Sequence, residues 1–156
     1  MAIENLLRLL KEHKVRFIII GASAFPVHGY SRVTLDTDIF IAPNKSNASR
    51  CLKALKKFGY DVSDITVKDL LTKKILIRQY LVEIDIHPFV TGVNFEEVWK
   101  NKISDKIGKT GVYFASLGDL IKMKKAVKRP KDKEDLKILL ELKKQKNQLN
   151  ISNQSK

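Results

Sequence analysis

The segment Thr34-Leu35-Asp36-Thr37-Asp38-Ile39-Phe40-Ile41 constrains this chain more than any other. An extended backbone sends successive side chains to opposite faces, so Asp36 and Asp38 point the same way. Thr37 and Ile39 face the other side, toward a core. Two neighbouring carboxylates raise one another's pKa unless a cation lies between them. A fold that keeps such a pair bears that cost or holds a divalent metal.

A second segment adds a third carboxylate. Val82-Glu83-Ile84-Asp85-Ile86-His87 alternates apolar and polar without a break, the pattern of a half-buried strand. Glu83, Asp85 and His87 share one face; Val82, Ile84 and Ile86 share the other. If this strand lies beside the first, Asp36, Asp38 and Asp85 converge. Oxygen-only ligands on rigid strands suit Mg²⁺ or Mn²⁺ better than zinc. His28 and His87, with one cysteine, lack the spacing of a zinc site. His87 is expected to hydrogen-bond near Asp85.

Upstream, residues 16–20 form a strand that ends in Gly21-Ala22-Ser23-Ala24. Gly21 permits a tight strand-to-helix turn, and Ser23 offers a hydroxyl for capping or for phosphate. A helix over residues 22–28 would aim free backbone N–H groups at an anion. An anion-binding turn close to an Asp-x-Asp is a coherent arrangement for phosphoryl chemistry.

Four ordered segments carry a family resemblance: Phe17-Ile18-Ile19-Ile20-Gly21-Ala22-Ser23-Ala24; His28-Gly29-Tyr30-Ser31-Arg32-Val33-Thr34 leading into Asp36-Thr37-Asp38; Gly92-Val93-Asn94-Phe95-Glu96-Glu97-Val98-Trp99; and Ser116-Leu117-Gly118-Asp119-Leu120-Ile121 with Lys124, Arg129-Pro130-Lys131-Asp132 and Asp135. Together they resemble the DNA polymerase β-like nucleotidyltransferases, and most nearly the small AbiEii-like members. The resemblance spans residues 16–140. It implies an α/β (α+β) fold with a small mixed sheet, flanking helices and a C-terminal helical segment. It also implies transfer of a nucleoside monophosphate from an NTP to a hydroxyl or phosphate acceptor. Asp36, Asp38 and Asp85 would be the catalytic metal ligands, with Mg²⁺ or Mn²⁺ as cofactor. Gly21, Ala22, Ser23, Arg32 and Lys124 would contact the nucleotide, Lys124 by neutralising the triphosphate. Ala22 departs from the family's Gly-Gly or Gly-Ser turn, which weakens phosphate contact there. Relatives that act as toxins modify tRNA or adenylylate a partner protein, so tRNA, another RNA, a protein acceptor or an antitoxin are the implied partners. The alternatives are a member of the fold that has lost turnover and only binds RNA or protein, and a purely electrostatic nucleic-acid binder.

Composition agrees with one soluble domain. The 156 residues are 44% hydrophobic, and no apolar stretch approaches the ~20 residues that cross a bilayer. The N-terminus lacks the basic start of a signal peptide, so a cytoplasmic location is expected. Cys51 is alone and reads as a buried structural thiol. The net charge of +13 favours a polyanionic substrate or partner, although lysine-rich helix faces are often merely solvated.

Periodicity predicts helices over residues 2–13, 46–58, 95–100, 116–128 and 132–143. Ser46 or Asn47 is the expected cap of the second, and Gly59 its stop. Asn94 with Glu97, and Ser116 with Asp119, read as capping boxes; Asp132 with Asp135 caps the last helix. Strands are expected over residues 16–20, 35–42, 75–78, 81–87 and 112–114, the third and fourth as a hairpin. Arg129 and Lys131 belong to a salt-bridged joint, and Phe95 and Trp99 to the core. Residues 1–144 form the domain, and the polar residues 145–156 a frayed or disordered tail. Helices and strands do not alternate strictly, so a doubly wound parallel sheet is not expected.

Overall fold

The computed structural model describes residues 2–79 and 82–154, with side chains up to Ile151; Leu81, the expected first residue of the fourth strand, lies outside the described residues, as does the end of the tail. Helix α1 (Ala2–Glu12) precedes strand β1 (Phe17–Ile20), followed by two short 3₁₀ turns, Gly21–Ala24 and Pro26–His28. Then come β2 (Asp36–Ile41), α2 (Lys45–Phe58), α3 (Val67–Thr72), β3 (Ile75–Gln79) and β4 (Val82–His87). The chain continues through α4 (Phe95–Asn101), β5 (Ile103–Ile107), β6 (Thr110–Phe114), α5 (Leu117–Ala126) and α6 (Pro130–Gln154).

One six-stranded sheet orders the strands β3-β4-β2-β1-β6-β5. β2 runs parallel to β4 and β1 parallel to β6, while the other neighbours are antiparallel. This is the expected mixed sheet. β1 is central and all four of its residues are buried, which is why it reads Phe-Ile-Ile-Ile without alternation. β2 is two-part: Asp36, Thr37 and Asp38 are partly exposed, and Ile39, Phe40 and Ile41 are buried. The strand therefore anchors itself with its second half and presents carboxylates with its first. At the far edge, β5 is solvated and carries Ser104, Asp105 and Lys106, charges that discourage strand addition.

Helices cover both faces. On one side Ala2 and Ile3 of α1 share a shallow pocket with Thr37, and α1 packs against α2. On the side of Asp38, the Phe40 ring meets Phe95 of α4 edge-on at 5.2 Å. Asn47 stitches α2 to the sheet. Fully buried, it donates to the carbonyls of Arg16 and Ala42 and accepts from the Arg16 N–H. Cys51 is buried, which pushes its thiol up to about 12 and leaves it inert.

Several local expectations are corrected. Residues 22–28 are not one helix, because Pro26 has no N–H to give the Ala22 carbonyl. The chain tightens into 3₁₀ turns instead, with the Phe25 N–H on that carbonyl. Asn44, not Ser46 or Asn47, caps α2, its side chain accepting from the Asn47 N–H. Ser116 caps α5 through the Asp119 N–H, but the Asp119 carboxylate turns to Asn101 rather than completing a box. α5 ends at Ala126, two residues early. α6 starts at Pro130, where a fixed φ and missing N–H fit the first helical turn. It runs on to Gln154, over residues read from the sequence as a frayed or disordered tail. α3, with a complete capping box between Thr66 and Asp69, and β5 were not anticipated.

Candidate active site

The register places the carboxylates. β1 and β2 pair Ile20 with Asp38; β2 and β4 pair Asp38 with Asp85, Asp36 with Glu83 and Phe40 with His87. Period two then puts Asp36, Asp38, Glu83, Asp85 and His87 on one face. The condition attached to Asp85, that its strand lie beside the Asp-x-Asp strand, is met directly. Asp85 is 6% exposed, so it is a carboxylate at the floor of the site rather than on a solvated rim.

The turn after β1 makes room for Asp38. Gly21 has φ +64°, a conformation that side chains disfavour, and a Cβ there would lie 2.6 Å from Asp38 Oδ2. A glycine thus leaves the space that the carboxylate fills. Ser23 is spent on structure, its hydroxyl donating to the Asp36 carbonyl at 3.2 Å, and Ala22 is buried.

Asp38, Asp85 and His87 each offer one ligand atom within 4.8 Å of the other two. His87 Nε2 lies 2.8 Å from Asp38 Oδ1, so its partner is Asp38 and not Asp85 as anticipated. The donor set is two carboxylates and one imidazole rather than oxygen alone, which still suits Mn²⁺ or Mg²⁺ and suits Mn²⁺ better. Asp85 Oδ1 is buried with no hydrogen-bond donor aligned on it, and the cation beside it is the Arg78 guanidinium, 2.7 Å away. These residues fit a divalent ion. Asp36 stands one pair further along, opposite Glu83.

Arg78 of β3, paired with Glu83, reaches across β4. Its Nη1 lies 2.7 Å from Asp85 Oδ1, its Nη2 3.4 Å from Asp36 Oδ2 and its Nε 3.7 Å from Glu83 Oε2. The Nη1 hydrogens aim at the Ile77 and Ile84 carbonyls, so the Asp85 contact is ionic rather than an aligned hydrogen bond. The Asp85 contact first, then the Asp36 and Glu83 charges, hold the guanidinium above its ordinary pKa against partial burial. Lys74 adds a longer contact, 3.8 Å from Asp85 Oδ2.

Arg32 and Lys124 meet elsewhere. Both pair with the buried Asp135, at 3.3 and 3.2 Å, and Lys124 also pairs with buried Asp132 at 2.9 Å. Arg129 closes on Asp132 at 2.6 Å, and the Tyr30 hydroxyl points at Asp135. Arg129 and Lys124 together hold the Asp132 carboxyl down to about 2. This is the expected salt-bridged joint, larger than expected because Lys124 and Arg32 belong to it. It lies close enough to the site for the Asp38 charge to act on Arg129.

Arg78 is the residue that sequence reasoning did not place in the site, and His87 was expected there beside Asp85 rather than Asp38. Their signal was present: Leu76 and Arg78 alternate with Ile75 and Ile77, as His87 does with Ile86. What selected them was cross-strand register.

A mixed sheet whose adjoining parallel strands bear facing aspartates, preceded by a glycine turn, has the architecture of a nucleotidyltransferase. The family model described as "Nucleotidyltransferase of unknown function (DUF6036)" matches residues 1–144, and the chain belongs to that family. No curated protein matches the chain. Among the described residues no helix is long and apolar enough to cross a membrane.

Proposed function

We propose that the protein transfers a nucleoside monophosphate from an NTP to an acceptor hydroxyl or phosphate, releasing pyrophosphate, with Mg²⁺ or Mn²⁺ as cofactor. The observation that carries this reading is the direct pairing of Asp38 with Asp85, with His87 beside them. Asp38 and Asp85 hold the metal, and Asp36 flanks it. When bound, the metal offsets phosphate charge and lowers the pKa of the acceptor hydroxyl. The acceptor oxygen attacks the α-phosphorus in line, the bond to the bridging oxygen breaks, and its electron pair leaves with pyrophosphate. Asp85 would complete the metal that lowers the pKa of the acceptor hydroxyl, or accept its proton. Gly21 keeps the backbone close to Asp38 without a side chain between them. Arg32 and Lys124 act on the nucleotide only if they leave Asp135; in place, they brace the joint.

The charge of +13 supports a polyanionic acceptor such as tRNA, met in the cytoplasm, and the resemblance to toxin-like members supports membership of a toxin–antitoxin or defence system. A protein hydroxyl is the other acceptor this chemistry would serve. The position of Arg78 favours a second reading, a nucleotidyltransferase fold without turnover that binds RNA or a protein through its basic surface.

Incubation with each labelled NTP, Mg²⁺, and total tRNA or cell extract separates the two. Label transfer that falls at least about 10²-fold in Asp38→Ala and Asp85→Ala supports the enzyme. RNA retention with no transfer under any NTP or metal supports the scaffold.

A further inference from the structure

Arg78 neutralises the acidic cluster from the side of β3. Its three guanidinium nitrogens lie against Asp36, Glu83 and Asp85, carboxylates from two adjacent strands that would otherwise repel. The side chain is 39% exposed, and its longer contacts of 3.4 and 3.7 Å are loose. It comes from β3, the edge strand, and turning outward costs it only the hydrogen bonds of Nη1 to the Ile77 and Ile84 carbonyls beyond its ionic contacts. Arginine also binds phosphate bidentately as readily as it binds carboxylate.

We propose that Arg78 is a displaceable counter-ion: it closes the acidic cluster to bare divalent metal and passes from the carboxylates to the phosphates when the metal arrives with a polyphosphate. The proposal rests on the nucleotidyltransfer reading of the same site. A bare dication entering between Asp38 and Asp85 meets a fixed positive charge and must evict it into water. A metal–triphosphate complex carries net negative charge and gives the evicted guanidinium a new partner. The site therefore selects the complex over its parts, and metal and nucleotide load together.

Calorimetric titration of Mn²⁺ alone and of preformed Mn²⁺–tripolyphosphate into the wild type and Arg78→Met tests this without needing the nucleobase or the acceptor. The expected result is crossed. R78M binds bare Mn²⁺ about tenfold more tightly, or 1.4 kcal/mol, and the complex about tenfold more weakly. Arg78→Lys, which keeps the charge but loses the fork, moves both values in the same directions by less, and stands in if R78M does not fold. Equal shifts of both titrations, or no shift, overturn the counter-ion role while leaving the metal site in place. Absence of Mn²⁺ binding in either form by wild type, R78M and Asp38→Asn alike overturns both this proposal and the function on which it rests.

Discussion

Single residues decide this site by the space they leave as much as by the groups they bring. Gly21 is the clearest case. Its φ of +64° disfavours any side chain, and the position a Cβ would take is already filled by Asp38 Oδ2, 2.6 Å away. Gly21→Ala should therefore cost roughly 1–3 kcal/mol of stability through backbone strain alone. It should also push the Asp38 carboxylate off its pairing with Asp85. Urea unfolding and Mn²⁺ titration of the same variant check both; unchanged stability and unchanged binding would show that the turn has slack the geometry does not suggest. Asp85 shows the complementary point. A buried carboxylate oxygen without an aligned donor is costly unless a cation completes it, and here the Arg78 guanidinium at 2.7 Å does so, which makes Asp85 a metal ligand only when that side chain gives way.

At the scale of elements, the contact between α5 and α6 is an electrostatic joint. Asp132 and Asp135, at the start of α6, are buried and held by Lys124 of α5 and by Arg32 and Arg129 from loops. Asp132 is depressed to about 2 from an ordinary 3.8, first by Arg129 and then by Lys124. A folded pKa below the unfolded one contributes stability that is fully present above about pH 5 and is lost as pH falls through 3.8 toward 2. After allowance for solvent around the exposed Arg129, the loss is on the order of 1–2 kcal/mol. Thermal melts of the wild type across pH 5 to 2 should show this drop, and Asp132→Asn should be less stable at pH 5 and flatter below pH 4. Parallel pH profiles for the two proteins would place the acid sensitivity elsewhere.

The same scale explains what could be read from the chain. β2 and β4 were visible because period-two alternation is local, and Asp36, Asp38 and Asp85 came with it. The Asn44 cap, the Pro26 interruption and the Thr66–Asp69 box are also local, and each needed only closer attention to which N–H lacks a partner. Arg78 and His87 are of another kind. Whether Arg78 reaches Asp85, or His87 meets Asp38, depends on strand order and register, which residues far apart in the chain settle together. Lys124 is similar: its helix was expected, but the buried aspartates that take up its charge come from α6.

For the whole molecule, the mixed sheet places both chemistry and charge. Antiparallel β1–β2 and parallel β2–β4 bring the glycine turn and the two aspartates to one place. The +13 net charge of the chain as a whole is suited to a metal-bearing polyphosphate and a nucleic-acid acceptor. If RNA is the acceptor, its binding should weaken steeply between about 50 and 200 mM salt, as counterion release requires. Asp38→Ala should keep that binding and its salt slope while losing transfer, which filter binding beside the labelling assay would show. Affinity insensitive to salt would argue for a protein acceptor instead.

The most direct measurement is anomalous diffraction at the manganese edge from crystals grown with Mn²⁺ and tripolyphosphate. The account predicts a peak between the Asp38 and Asp85 carboxylates, about 2.0–2.2 Å from an oxygen of each, with Arg78 turned away from Asp85 toward phosphate. Manganese bound elsewhere, or a cluster still occupied by the Arg78 guanidinium at saturating metal and polyphosphate, would contradict it.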